Sequence, residues 1–390
     1  MPITTLSYEA PVKRPAVVPE LDFELLERAE TLAQEGNPRD AVLEVFRHFF
    51  PGTALPALDA HAFTFTQGSS RVSTRFDGDD LVVTVPLVKL PEGGRAIAAM
   101  RYLLERTSAV GQLYQPRLDG TDVRLEHRDR LSRFHPAKLV EVLRRMPQEA
   151  DRTDDWLVAE FGATALDPAA VESLTDEELA RAQQIWQTHW REVDELFQEC
   201  RRKRSLFFLN EVTAYTINNV SALLPLSGVL ATRINQMAGT FNDSQQSGSD
   251  REASLGACIK EMKAASPEKL AASLSHATYA IAPKRRGDAR VVVGLLGPGD
   301  YMARIDSMRK SEGVMDAALA LVSSYVYLLG AFTCEPEIAE RLHAGLTKAC
   351  GKPFRELAKI LFDDATELAK DLKSKLEEDE EEEEDEEGAA

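Results

Sequence analysis

Residues 62–88, AFTFTQGSSRVSTRFDGDDLVVTVPLV, decide how the first half of the chain is read. Ala62 to Thr66 alternates apolar and hydroxyl residues at the period of a strand, and Val72 to Phe76 makes a second short strand. Asp77-Gly78-Asp79-Asp80 is a hairpin turn, and the run Leu81 to Val88 is strongly β-forming. Upstream the period is helical. A pattern begins at Leu21 and runs through Ala41 to Phe50, where Val42, Val45, Phe46 and Phe49 share a wide apolar face and Pro51-Gly52 ends it.

Downstream, Gly93-Gly94 opens a helix with Ile97, Met100, Leu103 and Leu104 on one side. Gln112 to Leu118 and Thr121 to Glu126 flank a second Asp-Gly turn at Asp119-Gly120. A closing helix opens with Pro136 in its first turn and carries Leu139, Val140, Leu143 and Met146. Residues 21–165 are thus expected to form an α+β domain in the order α-β-β-β-α-β-β-α around an antiparallel sheet. Residues 1–20, with Pro2, Pro11, Pro15 and Pro19, read as an extended arm.

Beyond residue 165 the expectation is an all-helical domain over residues 166–376. Thr175-Asp176-Glu177-Glu178 is a capping box. Leu179, Ala182, Trp186, His189, Val193, Leu196 and Cys200 then recur at 3–4 spacing, the seam of a helix packed lengthwise on another. Further helices are expected over Leu206 to Met237 (broken at Pro225 and Gly228), Leu255 to Met262, Pro267 to Ile281, Met315 to Phe332, Glu335 to Ala349 and Phe354 to Leu376. Asn242 to Asp250 reads as a flexible loop, and Arg290 to Leu296 fits either a strand or a buried helical turn. The uncharged stretch Ala317 to Cys334 reads as a buried helix rather than a membrane span, because Glu335 and Glu337 follow it.

The apolar fraction of 44% and charged fraction of 28% are those of a globular protein. The formal net charge is −18, but the eleven consecutive acids Glu377 to Glu387 carry −11 of it, leaving −7 for the rest. So mild a charge on the body argues against a broad nucleic-acid surface. Residues 377–390 are expected to be a disordered acidic tail, since like charges repel and nothing apolar is there to bury. Cys200, Cys258, Cys334 and Cys350 are spaced for neither a metal knuckle nor a redox pair, and the first residues lack a signal peptide's apolar run. Both point to a cytoplasmic protein.

Chemical motifs do not emerge. Gly345 to Lys352, GLTKACGK, has one residue too many for a phosphate loop and Pro353 where a Ser or Thr belongs. Gly294, Gly297 and Gly299 do not make a dinucleotide fingerprint, and Arg286-Gly287-Asp288 is a chance tripeptide. His189 lies on the helical seam, where a core histidine is expected. No catalytic residue, metal ligand or cofactor is therefore assigned. Arg201, Arg202, Lys203 and Arg204 form the sharpest basic cluster, which either caps a helix end or docks an anionic group such as the acidic tail.

The element order over Leu21 to Gly162, the two Asp-Gly hairpins and the closing helix from Pro136, followed by Ala150-Asp151 and Trp156, resemble the effector-binding class of type III secretion chaperones of bacteria. That resemblance implies a non-enzymatic protein that binds an extended segment of a partner polypeptide along the sheet and helix surface, as an oligomer. It casts Phe63, Phe65, Leu81, Val83 and Val85 as exposed apolar strand residues at a sheet edge. The alternatives left open are an assembly component that self-associates through the helical half, and an enzyme whose site is assembled from distant residues.

Overall fold

A computed structural model describes residues 3–15, 22–108, 111–282 and 284–389, with side chains as far as residue 378. It is a mixed α/β structure in which an antiparallel sheet accompanies many helices. The first helical stretch divides into α1 (Phe23–Gln34) and α2 (Pro38–Phe49), because Gly36 and the Asn37-Pro38 pair interrupt the chain between them. Strands β1 (Phe63–Gly68), β2 (Ser70–Asp77) and β3 (Asp80–Lys89) form the expected meander, with Phe63 opposite Thr74 and Ser73 opposite Thr84. Helix α3 (Gly94–Thr107) leads to β4 (Gln115–Asp119) and β5 (Asp122–Arg130), and β5 pairs with β3, Leu81 lying opposite Asp129. Spatial order is β4-β5-β3-β2-β1. Helix α4 (Pro136–Phe161) runs well past the expected stop at Met146, through Pro147, and backs the sheet with Leu139, Val142, Leu143 and Met146.

In the second half, α5 (Asp176–Lys203) starts at the reciprocal capping box of Thr175 and Glu178. Its seam is buried, and Trp186 Nε1 donates to the Met262 carbonyl at 3.2 Å. Helices α6 (Leu206–Leu223) and α7 (Gly228–Asn242) are separated at Pro225 as expected. Helix α8 (Gly248–Lys263) starts inside the stretch read as a loop, because Ser247 and Asp250 form a second capping box. After α9 (Pro267–Ala271) come α10 (Ala289–Leu296), which resolves the ambiguous Val run as helix, α11 (Asp300–Arg309), α12 (Val314–Ala331), α13 (Pro336–Ala349) and α14 (Phe354–Ala389). By length and composition α12 alone among the described helices passes for a membrane span, yet Ala317 to Val326 are all buried inside the fold. Its Gly330 packs so closely on α6 that a Cβ there would sit 2.5 Å from the Asn218 carbonyl oxygen.

Two expectations about the elements need correction. The second half is not wholly helical. Two-residue strands β6 (Thr164–Ala165) and β7 (Glu172–Ser173) precede α5, and β8 (Ser275–His276) and β9 (Thr278–Tyr279) replace the end of the helix expected to reach Ile281. β10 (Arg285–Gly287) pairs in parallel with β11 (Phe332–Cys334). β6 pairs with β3, while β9 adds to the edge of β1. The Gln67 side chain bonds the Ile281 main chain at both ends (2.7 and 2.9 Å), and Ile281 is buried in the sheet's core. Helix therefore yields to strand here because the open edge of β1 and the unpaired amide of Gln67 need partners.

The acidic segment is also different: the α14 backbone stays helical from Glu377 to Ala389. Glutamate is a good helix former, and the costly nucleus already exists in the packed part of α14, where Leu357, Leu361, Ala365, Leu368 and Leu372 are buried. Residues 3–15 of the arm form no helix or strand, in keeping with the expectation, and lie on the helical half with Leu6 and Val12 buried in its core. The rest of the expected arm falls outside the described residues.

Cutting the chain within 166–174 should leave the two pieces associated on gel filtration under native conditions. Ile281→Ala should lower stability by about 2–5 kcal/mol, and Trp186→Ala by about 3–5 kcal/mol, read by urea unfolding.

Candidate protein-contact surface

The five strand residues expected at the surface are buried. Phe63 and Phe65 pack against α2 and its flank, the Phe46 and Phe50 rings lying 5.3 and 5.0 Å from Phe63. Leu81, Val83 and Val85 are fully buried. Alternation sends all five to one face, and α2 and α4 cover that face, so none is free to meet a partner. The opposite face carries a neutral lattice of charges. Glu126 lies among Arg117 (3.4 Å), Arg124 (3.5 Å) and Arg128 (3.7 Å), while Arg128 also reaches Asp77 and Asp80 at 2.8 Å each.

Besides Phe23 at the start of α1 and Val158 on α4, the large apolar residues left exposed on this half lie on α3 and β4. Ile97, Leu104 and Leu118 are 64%, 54% and 53% exposed, among the most exposed large apolar residues described. Ile97, Arg101 and Leu104 follow at i, i+4 and i+7, so they form one stripe on the outer side of α3. The inner side is held by Ala99 and Leu103. The sequence pattern put Ile97, Met100, Leu103 and Leu104 on one side of the helix and did not separate the outer stripe from the inner one. The available signal was the width of the apolar arc, which exceeds what a helix perched on one sheet edge can bury. β4 has no second neighbour among the described strands, and Pro116 removes one of its main-chain donors. That edge is therefore poorly suited to extended pairing, and the side chains of the rim carry the contact.

The basic cluster at the end of α5 is engaged within the chain. Arg201 pairs with Glu252 at 3.4 Å, Arg202 with Glu199 and Lys203 with Asp316, while Arg204 takes the left-handed conformation that ends the helix. Lys203 also lies 4.4 Å from the Phe208 ring centre. These residues tie α5 to α8 and α12 and complement the helix dipole. His189 is buried and neutral, burial lowering its pKa to about 3, and its Nδ1 lies 3.0 Å from Asn219 Nδ2. Burial pushes the free thiols up, Cys200 and Cys334 to about 11, Cys258 and Cys350 to about 12, so all four are poor nucleophiles. Among the described residues no group of three His, Cys, Asp or Glu side chains is placed to hold a metal ion.

A buried cluster of carboxylates sits where α4 meets α7. Asp151 accepts from the Ser69 N–H (2.7 Å) and Oγ–H (2.6 Å), so closely that a Cβ on Gly68 would lie 2.6 Å from the carboxylate. Burial, with Asp155 and Asp151 adding, lifts the Asp154 carboxyl to about 8, and burial with Asp151 beside it lifts Asp155 to about 6. Lys284, whose Nζ donates to the Gly330 carbonyl of α12, is lowered to about 6 by burial and by the neighbouring Lys13.

Comparison with protein-family models, curated proteins and solved structures finds no match for this chain.

Folded Asp154 keeps a proton that the unfolded chain has released, so its contribution to stability falls as pH rises from about 4 to about 8. The full effect is on the order of a few kcal/mol, at about 1.4 kcal/mol per tenfold change in proton affinity. Asp154→Asn should flatten that decline in a thermal-melt series across the same window. Lys284 acts in the opposite direction, so comparing the variant with wild type isolates the carboxyl. An unchanged slope would show that Asp154 is already ionised.

Proposed function

We propose that this chain is a non-enzymatic adaptor or chaperone-like protein, and that its α/β half binds a partner polypeptide through the outer stripe of α3 and the adjoining β4. The observation that carries this reading is that Ile97 and Leu104 on α3 and Leu118 on β4, the strand α3 contacts, are each more than half exposed. Exposing large apolar side chains in one place costs solubility, and contiguous patches of this kind mark contact surfaces. Arg101 stands between Ile97 and Leu104 and favours a carboxylate on the partner. The complementary surface is thus an apolar ridge bearing an acid, presented by a helix or an extended segment. The antiparallel sheet and its element order, shared in outline with secretion chaperones, support the same reading. It takes a cytoplasmic location and an assembly of more than one chain.

A second copy of this chain is a further candidate partner, because Glu105 is exposed one residue beyond Leu104. Two α3 helices packed antiparallel would set the Arg101 of one near the Glu105 of the other.

A photo-crosslinking residue at Leu104, expressed in the native cell, should give a discrete adduct that a control at Thr64 lacks. Leu104→Asp should weaken that partner's affinity by tenfold or more, the scale of a single anchor at about 1–2 kcal/mol, with the fold's own stability nearly unchanged. A mass of twice the chain identifies the self-associating case. No adduct at Leu104 beyond the Thr64 control would sink the proposal.

A further inference from the structure

Two lysines meet beside the ends of two core helices. Lys13 Nζ donates to the Ser221 carbonyl in the last turn of α6 at 2.8 Å, and Lys284 Nζ donates to the Gly330 carbonyl in the last turn of α12. Carbonyls at helix C-terminal ends carry partial negative charge and attract amines. The two amino groups are neighbours, and each side chain is partly withdrawn from water. The other groups facing Lys284 are Arg152 on α4 and the Cys334 thiol on β11. Burial keeps that thiol protonated, so it brings no charge. Among the described residues neither lysine forms an ion pair with a carboxylate.

Cations withdrawn from water are ordinarily paired with an acid, and two ammonium groups side by side repel while having only donors to offer each other. One neutral amine relieves both problems, because its lone pair can accept from the neighbouring ammonium. Burial, and then Lys13, lowers the Lys284 amine to about 6, so near neutral pH its Nζ holds that lone pair. A lysine desolvated beside another cation is an activated nucleophile. The surroundings also select the product. Lys13 and Arg152 stabilise a group that becomes negatively charged on Nζ, and the partial exposure of Lys284 suits a small reagent.

We infer that Lys284 is a modification site for carbon dioxide, carried as a carbamate whose oxygens face Lys13 and Arg152. The Nζ lone pair forms a bond to the carbon, one carbon–oxygen π bond breaks with its electron pair left on oxygen, and the nitrogen releases one proton to solvent. Nothing is oxidised or reduced. The remaining N–H still donates to the Gly330 carbonyl, and the new anion supplies the acid that Lys13 lacks. This site is separate from the α3 surface, and neither proposal depends on the other.

The test equilibrates the full chain with isotope-labelled carbon dioxide at fixed gas pressure and follows the carbamate by carbon NMR. Trapping with a trialkyloxonium reagent and peptide mass spectrometry then locate it, with the exposed Lys352 and Lys373 as controls in the same digest. A carbamate is expected on Lys284, growing as pH rises past about 6 because the free amine is the reactive form. Lys284→Met should abolish that signal. Lys13→Met keeps the aliphatic stem but removes both a charge that holds Lys284 neutral and a cation that meets the product, so the adduct should fall about tenfold at neutral pH. Arg152 is exposed, and Arg152→Gln should lower the adduct about threefold, which keeps the test intact where Lys13→Met does not fold. No adduct on Lys284 in wild type, an adduct spread equally over the control lysines, or one indifferent to the substitutions at Lys13 and Arg152 would overturn the proposal.

Discussion

Helix α4 has to serve two cores with one continuous run of backbone. Its first turns lay Leu139, Val142, Leu143 and Met146 against the sheet, and these residues close the smaller core. Its last turns turn away from the strands and bind the second half: Thr232 Oγ1 donates to the Arg152 carbonyl at 3.2 Å, and the Arg233 guanidinium lies 4.3 Å from the centre of the Trp156 ring. Between the two stretches lies Pro147, which cannot donate to the helix ladder. The helix survives it because packing on both sides fixes the backbone, an instance of tertiary context overriding local propensity. Asp151, Asp154 and Asp155 occupy the transition, and the raised proton affinities of Asp154 and Asp155 follow from burial there beside other carboxylates.

How much of this was legible in the sequence depends on the range of the interaction concerned. Signals completed within a few residues were read well: both Asp-Gly hairpins, the Thr175–Glu178 box and the seam from Ala182 to Cys200 all appear in the structure. Elements that exist to satisfy a distant group were not. Nothing local marks Thr278-Tyr279 as a strand. Its reason is the edge of β1 and the Gln67 amide, more than 200 residues earlier in the chain. The contact surface failed for a related cause. A period of two shows that Phe63, Phe65, Leu81, Val83 and Val85 share a face, but not which face the helices will cover.

The helical half shows the same division between composition and context. An 18-residue apolar helix such as Val314–Ala331 suits a bilayer or a core equally by hydropathy. Its neighbours decide. α6 and α14 enclose it, and Gly330 permits a backbone approach to Asn218 that any side chain would block. Tyr325 donates to Asp364 at 2.6 Å, so the hydroxyl of its buried tyrosine finds a partner on α14. The same α14 then carries its helix outward into the acidic run, where the chain is held by propagation from a packed start and no longer by burial.

Once both cores are closed in this way, the residues left over for recognition are those whose exposure or ordering the fold does not require. Ile97 and Leu104 could be polar without loss to either core, since Ala99 and Leu103 already seat α3. The apolar residues of the arm are a different case, because Leu6 and Val12 are buried in the core of the helical half and are accounted for by that packing. Apolar character that neither core demands is found on α3 and β4 of the α/β half, where the side chains stay uncovered, and exposed groups of that kind are the ones that packing alone does not explain.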